Sequence, residues 1–360
     1  MNQAKRTGRV IGTGKYLPGT TLDNRQLYEM ESIRENFDVE RARNSLRKKG
    51  EADDLSAAEV FDRWSRQVTG IRERPILPFD SDETTEDMCA RAGRRALEDA
   101  GLEPDDLDMI VAASVTPADE VPNLACTMAR DLGAPSVPGF TLNAACAGFV
   151  YALATANAFI RSGTADRVLA VTGDALTRVT DYTDPKTAVL FSDGAGCALL
   201  EATDRGGGIR GEPCLTADYN REHLYMTTGQ WAEDDPEGTP GLETLRMGGG
   251  ARVLRQAINA MVDVAQGALD STDLDWDDIH YVVPHQANLR ITQGLEKKLS
   301  LPNGRVVHTI EEYGNSSAST VSIAFDEVAR GEHGPLPDPT RVVLTAVGGG
   351  YTSGGMVLEL

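Results

Sequence analysis

At 360 residues, with 41% hydrophobic and 25% charged side chains, the chain is long enough for two sizeable cores and ordinary for a globular protein. Its net charge of −20 argues against nucleic acid and anionic membrane as partners, and no apolar run approaches the ~18 residues of a membrane span. The start, Met1-Asn2-Gln3-Ala4-Lys5-Arg6, shows no signal-peptide pattern, and five scattered cysteines (89, 126, 146, 197, 214) without Cys-x-x-Cys predict reduced thiols, a cytoplasmic setting and no metal site.

Residues 9–17 read as an opening strand that ends at Pro18-Gly19. Within it Gly12-Thr13-Gly14-Lys15 lacks the full phosphate-loop pattern and reads as a strand-end turn. Residues 31–54 then hold 13 charged side chains in 24, with Arg41, Arg43, Arg47, Lys48 and Lys49 in the middle. This charged insert, about 31–58, reads as a solvated helical surface or as a docking face for an acidic partner. Trp64 lies near the end of the next helix, before the turn Thr69-Gly70-Ile71-Arg72-Glu73-Arg74. A helix follows over 85–100, then a buried strand over 109–116 and another over 136–142. At Cys146 that last strand gives way to a helix over 147–160 that is apolar nearly all round and so belongs in the interior. A cysteine at the N-terminus of a buried helix feels the positive end of its dipole, which predicts a lowered pKa and a nucleophilic thiolate. An inert core cysteine is the alternative.

The chain then repeats itself. Ala96-Leu97, Leu102, Asp105-Asp106-Leu107 and Ile110-Val111 recur 172 positions later as Ala268-Leu269, Leu274, Asp277-Asp278-Ile279 and Val282-Val283. The Cys146 unit has a counterpart in a strand over 305–309 followed by Tyr313-Gly314-Asn315-Ser316-Ser317 and a second apolar helix reaching Arg330. Two copies of one βα module predict an α/β fold with a pseudo-two-fold axis, halves at 1–203 and 204–360, and an active site between them. Strand hairpins over 188–202 and 341–360 would close the halves.

In the second half, Pro284-His285-Gln286-Ala287-Asn288 follows a strand, and Asn315 sits at the next strand-to-helix junction. Chemistry in α/β sheets gathers at strand C-termini, so duplication brings Cys146, His285 and Asn315 towards one place. A Cys with a His and an Asn suggests covalent acyl catalysis. Taken singly, His285 could be a satisfied strand-end residue and Asn315 a turn or cap residue. The triplet Gly348-Gly349-Gly350 follows a core strand and could present backbone N–H groups to an oxyanion, although 206–208 and 248–250 are also Gly triplets.

These motifs, with Ala144-Ala145-Cys146-Ala147-Gly148-Phe149 and Asp193-Gly194-Ala195-Gly196, occur in an order that resembles β-ketoacyl-acyl-carrier-protein synthase III of the thiolase superfamily. The resemblance covers nearly the whole chain apart from the charged insert. It implies a five-layered αβαβα fold, a homodimer, and a condensing acyltransferase that uses coenzyme A or acyl carrier protein thioesters and no other cofactor. Cys146 would take an acyl group from a thioester. His285 and Asn315 would stabilise the enolate formed when malonyl on acyl carrier protein loses carbon dioxide, and the N–H groups of Cys146 and Gly349 would form a second oxyanion hole. Arg255, Arg290, Lys297 and Lys298 match carrier-docking positions, and Trp64 matches a tryptophan that stacks on the adenine of coenzyme A.

Departures from the family pattern carry expectations too. The arginines that accompany that tryptophan fall on Val68 and Pro185, and an asparagine on Ala251, so coenzyme A is expected to bind weakly and the donor to arrive on a carrier protein or as an unusual acyl group. Val121 stands where a phenylalanine often shortens the neighbouring subunit's acyl pocket, which predicts longer or branched chains. Glu120 beside it is either a loop carboxylate or a base like that of enzymes condensing two acyl chains. The alternatives are acyl transfer to an amine or hydroxyl, condensation of two acyl chains, and a non-catalytic partner of another synthase.

Overall fold

Runs such as Val168-Leu169-Ala170-Val171 and Val342-Val343-Leu344 are buried along their whole length, so both strands lie in the interior of sheets covered on two faces. The computed structural model describes residues 6–50, 54–220, 224–226, 244–248, 250–302 and 304–360. One sheet has the order Thr7–Tyr16, Asp193–Thr203, Arg167–Ala175, Met109–Ala113, Gly139–Leu142. Its first two pairings are antiparallel and its last two parallel. The other sheet runs Gly208–Asn220, Gly350–Glu359, Arg341–Gly348, Tyr281–Pro284 with the same directions. Val306 pairs parallel with Val282, in the place that Gly139–Leu142 holds in the first sheet. The acidic turns Pro104–Asp106 and Trp276–Asp278 are both single 3-10 turns closed by capping boxes, so the sequence repeat is a structural one.

Three helical layers enclose the sheets. Thr85–Ala100 and Leu124–Leu132 cover one outer face, and Gly250–Asp270 and Leu289–Leu299 cover the other. Gly148–Ser162 and Ser319–Ala329 lie between the sheets. Phe149, Leu153, Val321 and Phe325 pack there with Val111 and Val168 from one sheet and Val283 and Leu344 from the other. This is the α/β thiolase-like arrangement of five layers. Among the described residues no helix is long and apolar enough to cross a membrane, and all five cysteines are unpaired.

Several expected elements differ in extent. The strand expected over 109–116 stops at Ala113, because Ser114, Val115 and Thr116 turn to bond the buried carboxylate of Asp174. The strand over 305–309 reduces to its bridge at Val306. Residues 188–192 end a short helix and a turn before the strand Asp193–Thr203 begins. The insert forms two helices, Glu31–Asn36 and Val39–Arg47, before the entrance helix Ala57–Thr69. Ala42 and Leu46 bury one face of the second against Val60 and Trp64, which turns Arg41, Arg47, Lys48 and Lys49 to solvent.

Candidate active site

Cys146 sits in the 3-10 turn Ala145–Ala147 that opens the buried helix Gly148–Ser162. The turn is strained at Ala145, a non-glycine residue with φ of 46°, whose N–H donates to Asn143 Oδ1 at 3.1 Å. The second sheet holds the turn from the other side: Thr352 Oγ1 donates to Ala144 O at 2.6 Å. Gly348 passes so close that a Cβ there would lie 2.8 Å from Ala144 O and from Cys146 N. No larger residue fits without moving the nucleophile's own backbone.

The expectation of a lowered thiol pKa is wrong for the resting enzyme. Burial pushes Cys146 up to about 12, and the negative charge of Asp174 adds to it. The Ser317 hydroxyl and the N–H groups of Cys146 and Gly349 pull the other way and do not offset the lost hydration. Those two N–H groups point at the sulfur, where an acyl oxygen on it would find them.

His285, 2% exposed, follows the strand Tyr281–Pro284, with its N–H bonded to Thr345 O at 2.8 Å. Burial lowers its pKa to about 3, so the ring is neutral at physiological pH and forms no ion pair with the sulfur. Its Nδ1 meets Thr320 Oγ1 at 2.7 Å. That hydroxyl also lies 3.0 Å from Ser317 O and receives the Gln286 N–H at 3.2 Å. Thr320 has one proton for two acceptors, His285 Nδ1 and Ser317 O: given to Nδ1, it leaves Nε2 as an N–H donor, and given to Ser317 O, it makes Nδ1 the donor and leaves Nε2 bare.

Asn315 is pinned by its backbone to the first half, its N–H donating to Leu190 O and its carbonyl accepting from Ser192 N–H, both at 3.0 Å. Its Oδ1 accepts the Ser317 N–H at 2.9 Å, which leaves Nδ2 free to donate. Cys146, His285 and Asn315 all line one cavity of about 420 Å³ whose other walls are largely apolar, including Leu176, Leu190, Phe191, Leu254, Ile291 and Val347. Gly349 lines it as well.

The remaining predicted residues lie farther out. Arg255, Arg290, Lys297 and Lys298 are exposed on the two outer helices that supply Leu254 and Ile291 to the cavity wall. Arg290 reaches Gln67 O, and Asn288 Nδ2 donates to Val68 O at 2.9 Å, tying the helix Leu289–Leu299 to the end of the entrance helix. Gly70 caps that helix at φ 89°, and a Cβ there would meet Leu289 Cβ at 2.4 Å. Trp64 is half-buried: Phe37 from the insert lies 5.0 Å from its ring and Phe61 5.8 Å. Val68 is half-buried and Pro185 buried, while the side chain of Ala251 lies outside the described residues.

Val121 is 87% exposed and does not line the Cys146 cavity, so within one chain it does not set the depth of that cavity. The exposed Glu120 lines a second cavity of about 490 Å³, which shares Val115, Asn143 and Met226 with the first. The sequence singled out neither Thr320, Asp174 nor the role of Ser317, since each acts through contacts made in the fold. Asp193, in its glycine-rich motif, is a buried acceptor for Leu77 N, Thr177 N and Thr177 Oγ1. That assigns the motif to packing.

Comparison with known proteins agrees with this geometry. The family model described as 3-oxoacyl-[acyl-carrier-protein] synthase III matches residues 140–215, and its C-terminal model matches residues 269–360. The β-ketoacyl-[acyl-carrier-protein] synthase III of Xanthomonas campestris pv. campestris is 37% identical over 98% of both chains. That of Rhizobium meliloti is 39% identical, over 84% of this chain and 92% of its own. The crystal structure of the priming β-ketosynthase from the R1128 polyketide pathway superposes with a TM-score of 0.83 at 32% identity, covering 100% of this chain and 98% of that one. The chain belongs to the 3-oxoacyl-[acyl-carrier-protein] synthase III family.

Proposed function

We propose that the protein is a β-ketoacyl-acyl-carrier-protein synthase III-type condensing enzyme in which Cys146 carries the acyl group. The observation that carries this reading is the convergence of Cys146, His285 and Asn315, from two halves of the fold, on one largely apolar cavity. Cys146 attacks a thioester, and the N–H groups of Cys146 and Gly349 stabilise the oxyanion of the tetrahedral intermediate. Malonyl on acyl carrier protein then loses carbon dioxide. His285, neutral and donating from Nε2, and Asn315, donating from Nδ2, hold the enolate oxygen, and the carbanion attacks the acyl-cysteine. A neutral imidazole suits this step, because a donor is needed there and a cation is not. The apolar walls suit an acyl chain and exclude water that would hydrolyse the thioester.

The halves divide between residues 203 and 208, where the last strand of one sheet gives way to the edge strand of the other. The exposed cations Arg255, Arg290, Lys297 and Lys298 form a local basic rim suited to an acidic carrier. Two observations support homodimerisation: Gly139–Leu142 is an edge strand of half-buried residues, and Val121 projects as an exposed apolar side chain next to the second cavity. Unpaired thiols fit a reducing, cytoplasmic setting. No metal enters the mechanism; the thioesters are substrates.

Donor choice follows from the entrance. Phe37 and Phe61 pack against Trp64, and the positions of the usual phosphate-binding arginines are Val68 and Pro185. The donor is therefore a carrier-bound or unusual acyl group, with coenzyme A a poor vehicle. Acylation by acyl-carrier protein is expected to exceed that by the matching acyl-coenzyme A at least ~10-fold in kcat/KM, the worth of about one charge-assisted contact. Equal rates would overturn the donor assignment. A β-ketoacyl product, formed only when malonyl-carrier protein is added, separates condensation from simple acyl transfer.

A further inference from the structure

Residues 69–74, the turn after the entrance helix, do not line the Cys146 cavity, yet the turn ends in a buried cation. Arg74, 1% exposed, lies in the short strand Glu73–Ile76, paired with Thr20–Asp23. Its Nη2 donates to Asn24 Oδ1 at 2.7 Å and to Val189 O at 3.1 Å. Among the described residues its buried Nε and Nη1 find no hydrogen-bond partner. Burial lowers the guanidinium to about 10, which leaves it charged at physiological pH. Burying a charged group with donors unsatisfied costs stability, and an apolar side chain would fill the same space without that cost. A group of this kind calls for a specific task.

On one side the guanidinium is fixed through Asn24, whose amide is fully used. Its Oδ1 takes the Arg74 donor, while its Nδ2 donates to Asp62 Oδ1 at 3.0 Å and to Ile71 O at 2.9 Å. Asp62, on the entrance helix, also accepts from Arg66 Nε at 2.8 Å. On the other side Arg74 grips the backbone at Val189, one residue before the segment that holds Asn315. Leu190 O accepts the Asn315 N–H and Ser192 N–H donates to Asn315 O, each at 3.0 Å, and Phe191 bridges to Asn315 in parallel. The stem of Arg74 meets the same loop directly. A Cβ on Gly314, which has φ of 63°, would lie 3.2 Å from Arg74 Cβ and 3.0 Å from Ser192 Cβ. Arg72 ties the turn to this loop once more, its N–H donating to Glu311 O at 2.7 Å.

We propose that Arg74 is a positioning residue for Asn315: anchored by Asn24, it holds segment 189–192 and backs Gly314, and so sets where the Asn315 amide stands. The role depends on Asn315 donating to the enolate, and therefore on the condensing reading. Ser317 N–H orients the Asn315 side chain through Oδ1, but it does not place the backbone that carries it. That placement matters because a hydrogen bond weakens steeply with misalignment, and a small displacement of a group aimed at a reacting atom is felt in rate. A planar, charged donor anchored from one side makes a stiffer brace than a neutral side chain would. Arg74 touches no reacting atom and acts through the loop.

The test follows full-length Arg74→Met through both half-reactions: acylation of Cys146 by octanoyl-pantetheine, then β-ketoacyl formation with malonyl-carrier protein. Condensation is expected to fall about 10-fold, less than the ~10²–10³ that deleting a donor costs, while acylation keeps the wild-type rate. A merely structural arginine would impair both steps together. The double variant separates the two roles further. If Arg74 works through the Asn315 amide, adding Arg74→Met to Asn315→Ala lowers condensation by less than about twofold more. A full ~10-fold loss repeated in that background, wild-type condensation in Arg74→Met, or acylation that falls in step with condensation overturns the assignment. Asn24→Ala removes the anchor of Arg74, passes through the same comparisons, and decides the matter should Arg74→Met fail to fold. Hydrogen exchange of the peptides that contain Ser192 and Asn315 is expected to quicken in Arg74→Met, and unchanged protection there also overturns the brace. Wild-type protein that forms no β-ketoacyl product overturns the condensing reading instead, and the exchange rates still show whether Arg74 holds the loop.

Discussion

Replacing His285 with alanine is expected to cut β-ketoacyl formation by about 10²–10³-fold while Cys146 still becomes acylated, because the ring donates to the enolate of the second step. Asn315→Ala should do the same. Its backbone stays locked between Leu190 and Ser192, so removing the amide deletes a donor without freeing the chain. Thr320→Val should weaken condensation in the same direction by removing the hydroxyl that fixes the His285 tautomer, and Thr320→Ser should restore it. Rapid-quench analysis of the acyl-enzyme, run beside a product assay, separates the half-reactions. Loss of acylation in His285→Ala would instead make the histidine the base for Cys146.

The second large effect concerns the resting thiol. At pH 8 a thiol held near 12 carries about 10³-fold less thiolate than one near 9. Cys146 should therefore resist iodoacetamide at pH 7–8, while the exposed Cys126 reacts as an internal reference. Its alkylation rate should rise about 10-fold per pH unit up to at least pH 10. A plateau reached by pH 7 would mean that the helix end and its N–H donors outweigh burial. A resting thiol of this kind is protected from oxidation.

Much of the architecture is visible in residue types. The helix that follows Cys146 is apolar all round, and its counterpart before Arg330 repeats the pattern, so their place between the sheets follows from hydrophobicity alone. The 172-residue repeat reports the duplication because the same packing problem is solved twice, down to the capped turns at Pro104–Asp106 and Trp276–Asp278. What residue types do not carry is desolvation. A cysteine at a helix N-terminus reads as an activated thiolate until the surrounding layers are placed, and only then does burial exceed the dipole. Partners distant in sequence are equally silent: Ser317 with Cys146, Thr320 with His285, and Phe37 with Trp64 each join separate elements. The strand over 305–309 shrank to one bridge for a related reason, since strand propensity does not say how much of a segment finds a neighbour.

The most direct test of the central claim is intact and peptide-level mass spectrometry after incubation with an acyl thioester. The expected result is one acyl group on the Cys146 peptide, discharged as a β-ketoacyl product when malonyl-carrier protein is added, with no adduct in Cys146→Ala. An adduct on another residue, or a Cys146 adduct that malonyl-carrier protein leaves in place, would contradict a condensing enzyme built on this cysteine.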